Sequence, residues 1–143
     1  MSKSFEDLRV FQQALDLMVD IYTATERFPR SELFGLTSQL RRAAGGVVAN
    51  IAEGQGRITY GEWRQMLSDA RGSVYEVQAH LIAATRIGFL EGSAATKLRA
   101  SAALVGRMLA GLIRYVRKLE QLSKTRRRHP RRPSNEQRET RND

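Results

Sequence analysis

No cysteine occurs anywhere in the 143 residues. Disulfides, thiol catalysis and cysteine-based zinc or iron–sulfur sites are therefore excluded. Histidine is nearly missing too. His80 and His129 are the only two, too few for a metal cluster or for acid–base chemistry near neutral pH. No apolar run approaches the roughly 20 residues of a transmembrane helix. The opening MSKSFEDLRVFQQ puts charges where a signal peptide needs its apolar centre. These absences lead to the expectation of a soluble, non-secreted, cytoplasmic protein. Acidic residues are outnumbered, 15 against 24 lysines and arginines, for a formal charge of +9. Residues 124–143 hold eight basic and three acidic side chains, so more than half of that excess falls in the last twenty residues.

What is present is a helical pattern. The length fits one domain with a buried core. Apolar residues recur at steps of three and four, and no sustained period-two alternation appears. Ser4 is placed to cap a first helix, with Asp7 completing a weak capping box. Its stripe is Leu8, Phe11, Leu15, Met18 and Tyr22, and Phe28-Pro29 is its stop. Ser31 is placed to cap a second helix with stripe Phe34 or Leu36, Leu40, Ala43, Val47 and Ile51, stopping at Gly54-Gln55-Gly56. Thr59 and Glu62 form a capping box before Trp63. The third stripe runs Trp63, Met66/Leu67, Ala70, Val74, Val77, Leu81, Ala84, with Gly88 as the C-terminal stop. Ser93 is placed to cap a fourth helix with stripe Leu98, Ala102, Val105, Leu109, Leu112, Val116, Leu119. Short connections make neighbours antiparallel. The expected fold is an all-α, antiparallel up-down-up-down four-helix bundle over residues 1–123. From Lys124 the apolar pattern ends, and residues 124–143 read as a disordered basic tail.

Two stretches are unusually small-residued: Ala43-Ala44-Gly45-Gly46 on the second helix and Ala70-Arg71-Gly72-Ser73 on the third. Glycine inside a helix costs about 1 kcal/mol relative to alanine, so Gly45, Gly46 and Gly72 point to close helix approach or to a bend.

Gln39-Leu40-Arg41-Arg42-Ala43-Ala44, then Asn50-Ile51-Ala52-Glu53-Gly54 and Gly56-Arg57, then Ala70-Arg71-Gly72-Ser73 with Glu76, occur in a distinctive order. Together with Phe5-Glu6-Asp7-Leu8 and Gly88-Phe89-Leu90, they resemble the "four helix bundle protein" family, named for proteins encoded in intervening sequences of bacterial large-subunit ribosomal RNA. The resemblance covers roughly residues 4–120 and leaves the basic tail outside. Gly45-Gly46-Val47 departs from the family, which often has a serine and a β-branched residue there. The resemblance implies an antiparallel bundle that assembles as a homopentamer. It also implies a distant relationship to the accessory variability protein of diversity-generating retroelements, which binds nucleic acid and a reverse transcriptase.

The polar residues support two readings. Arg41, Arg42, Arg57 and Arg71 on the bundle, with Arg126, Arg127, Arg128, Arg131 and Arg132 in the tail, are candidate phosphate contacts for RNA or DNA. Gly45, Gly46, Asn50, Glu53, Gly54, Gly72, Ser73 and Glu76 are candidate structural or subunit-interface residues, with Asn50 and Glu53 tying the turn between the second and third helices. Gly54-Gln55-Gly56-Arg57 matches no nucleotide-binding fingerprint. His80 follows Glu76 by four, but a di-iron bundle needs two Glu-x-x-His motifs, so no cofactor or metal is expected. Tyr60, Trp63 and Tyr75 are candidates either for base stacking or for packing. Apolar Val10, Val19, Ile21 and Val48, off the main stripes, suggest contacts between subunits. Three classes remain: an oligomeric RNA- or DNA-binding or nucleoprotein accessory factor, a homo-oligomeric protein–protein scaffold, and, with no catalytic constellation to support it, an enzyme.

Overall fold

The computed structural model describes residues 4–129. Ser4 caps a single 3₁₀ turn, Phe5–Asp7, after which Leu8 is extended (φ −71°, ψ 126°). The first helix, α1, then runs Arg9–Thr25. The helix expected to begin at Ser4 is broken in this way because the Phe5 ring packs edge-on against Phe11, centroids 5.0 Å apart. Tertiary packing of Phe5 fixes where the chain enters α1.

The core face of α1 is Val10, Phe11, Ala14, Leu17, Ile21 and Thr25. Only Phe11 belongs to the expected stripe. Leu15 and Met18 lie half-buried at its edge and Tyr22 is exposed. α1 has apolar residues on more than half of its circumference, so periodicity alone left its rotation open. Burial between α2 and α4 chose the face with small Ala14. Val10 and Ile21, expected at subunit contacts, are therefore core residues, whereas Val19 is exposed and Val48 half-buried.

α1 ends three residues before Phe28, where the Thr25 hydroxyl donates to the Ile21 carbonyl at 2.8 Å and to that of Tyr22 at 3.1 Å. A second 3₁₀ turn, Arg30–Glu32, leads into α2, Leu36–Gln55. Ser31 does not cap α2. Glu32 does so instead, its carboxylate accepting from the Leu36 amide at 3.0 Å, an anion at the positive helix end. α3 spans Tyr60–Ile87, and Thr59 Oγ1 accepts from the Glu62 amide at 3.1 Å as expected. Gly88 ends it in the left-handed region (φ 98°), where the Phe89 amide reaches back to the Ala84 carbonyl at 2.9 Å. The buried face of α3, Leu67, Ala70, Val74, Val77, Leu81 and Ala84, is the expected stripe, with Trp63 half-buried at its start.

α4 spans Gly92–Arg128. Ser93 does not cap its amide ends; its hydroxyl donates to the Glu91 carboxylate at 2.9 Å. Ile113, not Leu112, faces the core. Helix continues five residues past Ser123, correcting the expected onset of disorder at Lys124. Lys124 pairs with Glu120 at 3.6 Å, one turn back, and Arg126, Arg127 and Arg128 occupy the last turn, where the carbonyl end of the helix favours cations. The rest of the expected tail lies outside the described residues.

Each helix packs on its sequence neighbours and α4 closes on α1, while the diagonal pairs α1–α3 and α2–α4 stay apart. Gly46 faces Ser73, and Gly54 faces Trp63 and Met66. Gln78 bonds Arg99, and Arg64 bonds Glu120. In both pairs of contacts one residue number rises as the other falls, so α2–α3 and α3–α4 are antiparallel. One continuous core runs through the bundle, from Phe11 and Leu17 on α1 to Leu109 and Val116 on α4.

Candidate nucleic-acid interface

The glycine-rich stretches divide into two kinds. A Cβ on Gly54 would stand 2.9 Å from Trp63 Cδ1 and 3.2 Å from Met66 Cβ, so the absence of a side chain lets the end of α2 lie under the Trp63 indole. Gly46 is opposite Ser73, where a Cβ would meet Oγ at 3.1 Å. These two positions form the close seam between α2 and α3. Gly45 and Gly72 face open space among the described residues, so close approach within one chain does not account for them.

The signature polar residues tie the turn after α2 less than expected. Glu53 reaches only Arg57, at a long 3.9 Å between exposed groups, and Asn50 makes no side-chain hydrogen bond among the described residues. Backbone bonds close the turn instead, Gly56 to the Glu53 carbonyl at 3.1 Å and Arg57 to that of Gly54 at 3.2 Å. Glu76 is exposed and His80 half-buried.

The candidate arginines also separate. Arg41 is held inside the α1–α2 contact, its Nε donating to Thr25 Oγ1 at 3.0 Å and its guanidinium lying 4.5 Å over the Tyr22 ring. It is therefore engaged in helix packing, unlike the other arginines expected at phosphates. Arg42 is exposed and makes no ion pair among the described residues. Arg57 touches Glu53 and, at 3.9 Å, Met66 Sδ. Arg71 is exposed with its guanidinium 5.8 Å over the Tyr75 ring. Arg126, Arg127 and Arg128 project from the last turn of α4, while Arg131 and Arg132 lie outside the described residues.

The larger electrostatic feature is α4 itself. Residues 1–91 hold ten basic and eleven acidic side chains, so three helices and their loops are close to neutral. Between Gly92 and Arg128 stand ten lysines and arginines and a single carboxylate, Glu120. That carboxylate is already neutralised. Arg64 Nε donates to it at 3.1 Å and Lys124 lies 3.6 Å away. The hydrogen bond from Arg64, backed by the charges of Arg64 and Lys124, holds the Glu120 carboxyl below the usual carboxylate range despite the opposing effect of burial. Dividing the sequence at Ser123 hid this concentration, because the cut passes through the helix. Helix boundaries set at Gly92 and Arg128 would have exposed it from composition alone.

The α3–α4 face carries three clefts. One is lined by Tyr60, Leu122, Arg126 and Arg127 among others, one by Arg71, Tyr75 and Arg107, and one by Ile82, Arg86 and Arg99. Every one has arginine in its lining and none has a carboxylate. The α1–α4 cleft is of a different kind, with Asp20 and Glu91 set against Arg27 and Lys97 around Phe89 and Leu98. No group of three metal-ligating side chains occurs among the described residues, and no helix there is long and apolar enough to cross a membrane.

Comparison with known proteins places this architecture. A crystal structure of a protein of unknown function from the S23 ribosomal protein family of Bacteroides thetaiotaomicron matches with a TM-score of 0.66, covering 73% of this chain and 97% of the other at 18% identity. At that identity the match speaks for the fold. Comparison with curated proteins gave no match. The sequence profile described as "23S rRNA-intervening sequence protein" matches residues 6–111, which span all of α1 to α3 and half of α4. The chain therefore belongs to the 23S rRNA-intervening sequence protein family.

Proposed function

We propose that the protein is a non-catalytic, cytoplasmic, homo-oligomeric bundle that binds RNA or DNA through the outer face of α4 and the adjoining α3–α4 clefts. The carrying observation is the concentration of ten cations and one neutralised carboxylate on a single helix, roughly 55 Å long at 1.5 Å per residue. A rod of positive charge on that scale suits a polyanion. Phosphates need only cations at matching reach and carry no base identity. A nucleoprotein accessory role, beside ribosomal RNA or a reverse transcriptase, accords with such a surface.

Self-association is the second half of the proposal. Val19 and Tyr22 are exposed on α1, and half-buried Val48 stands on neighbouring α2. A cyclic assembly repeats one heterologous contact around a ring, and a pentamer is the expected closure. The scaffold reading rests on Phe34 and Ile58, 94% and 97% exposed in the loops before α2 and α3, which suit contact with another protein.

Filter binding of the full-length protein to ribosomal RNA over a series of salt concentrations tests the first half. Each phosphate contact on a single strand adds about −0.7 to the slope of log affinity against log salt. Five contacts from α4 give roughly −3.5, with little dependence on RNA sequence. Absence of RNA retention at low salt would overturn the reading in favour of the scaffold. Native mass spectrometry should show about five subunits, and a monomer at micromolar concentration would remove the ring.

A further inference from the structure

We propose that the central α3–α4 cleft is a stacking site for one unpaired nucleobase, with Tyr75 as the platform and Arg71 and Arg107 on the flanking phosphates. This rests on the nucleic-acid reading above and adds the form of nucleic acid preferred: single-stranded or bulged RNA over continuous duplex.

Tyr75 is the candidate platform because the residue is 64% exposed although it sits on a helix with a well-filled core face. The Arg71 guanidinium lies over the ring at 5.8 Å, forming an aromatic–guanidinium pair of the kind on which bases stack. Room for the base comes from α4, where Ala103, Gly106 and Ala110 line the opposite wall and Val74 contributes apolar surface. The cleft measures about 300 Å³, at the small end of ligand sites. Arg71 and Arg107, which make no ion pair among the described residues, match the charge of a nucleotide's phosphates, and no carboxylate lines the cleft.

The chemistry of the cleft also indicates what it does not read. Gln78 is the residue with both donor and acceptor for a base edge, yet both ends are engaged. Its Nε2 donates to the Arg99 carbonyl at 3.0 Å, and its Oε1 accepts from Arg99 Nε at 3.2 Å. Stacking without edge recognition tolerates any base. A duplex keeps its bases inside the stack, so only an unpaired or bulged base reaches Tyr75.

The test compares a 20-nucleotide single-stranded RNA with a blunt 20-base-pair RNA duplex, using the full chain and the variants Tyr75→Ala, Tyr75→Phe and Ala103→Leu. Tyr75→Ala should weaken single-strand binding by between about 5- and 150-fold, the range typical of aromatic stacking platforms, and leave duplex binding and the salt slope unchanged. Tyr75→Phe should retain affinity. Ala103→Leu, which narrows the cleft and keeps every charge, should reproduce the loss, with melting curves confirming that each variant folds. Wild-type protein that binds both RNAs alike and is unaffected by Tyr75→Ala overturns this proposal alone and leaves phosphate binding by α4 standing. Wild-type protein that binds neither RNA overturns both readings. Capture of a poly-glutamate peptide, lost in Tyr75→Ala and without RNA binding, would reassign the cleft to an acidic protein.

Discussion

The helix α3 faces two neighbours across small residues, and the two seams came out differently. Toward α2, Gly54 and Gly46 are met by Trp63, Met66 and Ser73, and the helices close on each other. Toward α4, a Cβ on Gly106 would meet Val74 Cγ1 at an ordinary 3.6 Å, and beside Ala103 and Ala110 a cleft remains. A small residue therefore permits close approach without causing it. The side chain standing opposite decides whether the space is filled. Charge follows the same division: the α2–α3 turn shows one weak Glu53–Arg57 pair, whereas the α3–α4 clefts are lined by arginines and the one carboxylate of α4, Glu120, is held by Arg64 and Lys124.

The largest effect expected from breaking this contrast is on affinity. Replacing Arg107, Arg114 and Lys118 together with glutamine removes three cations from α4. It should flatten the salt slope by about 2 and weaken RNA binding tens of fold at physiological salt. The corresponding replacement of Arg9, Arg27 and Arg30, beside α1, should change binding little. Equal losses from the two triples would dissolve the distinction between α4 and the remainder. Melting temperatures should stay close to wild type for both, since exposed substitutions commonly fall within about 0.5 kcal/mol.

Next in size is the closed seam. Gly54→Ala must displace the Trp63 indole and should cost about 1–3 kcal/mol of unfolding free energy, measured by urea titration. Gly45→Ala and Gly72→Ala meet open space and should instead stabilise by about 0.5–1 kcal/mol, since alanine is the better helix former. Should Gly45→Ala lower the oligomer's melting temperature, the open space beside it is filled by a neighbouring subunit.

Replacing Arg131 and Arg132 with glutamine sharpens the role of the remaining basic residues. It should flatten the slope by at most about 1.5, less than the α4 triple does. A larger loss would return the polyanion site to the C-terminal end.

The smallest effect concerns Glu120. Its carboxyl ionises below the usual range because Arg64 donates to it. The stabilisation this gives is present above the ordinary carboxylate range and is lost as pH falls through the lowered value. Glu120→Gln should therefore be slightly less stable than wild type at pH 7 in thermal melts, with the difference shrinking as pH falls through the lowered value. At pH 7 it should also bind RNA somewhat more tightly, because Arg64 and Lys124 are released.

The bundle itself was legible in the sequence. The stripes of α3 and most of α4, the Thr59 cap and the Gly88 stop follow from local rules, namely period 3.6, a hydroxyl accepting from an amide three residues on, and a residue free to take positive φ. Rotation of α1 was not legible, because Leu15, Met18 and Tyr22 are as apolar as Leu17 and Ile21, and only contact with both neighbours ranks them. The same holds for the arginines. Arg41 and Arg42 are adjacent and chemically identical, yet one is fixed by Thr25 and Tyr22 from another helix and the other points to water. Composition and periodicity thus determined four helices, their approximate ends and a basic C-terminal segment from Lys124. Which glycines close a seam, which arginines stay free, and that Tyr75 stands exposed in a carboxylate-free cleft were decided by the tertiary structure. Those properties depend on which side chain stands across from each residue, and that partner comes from another helix.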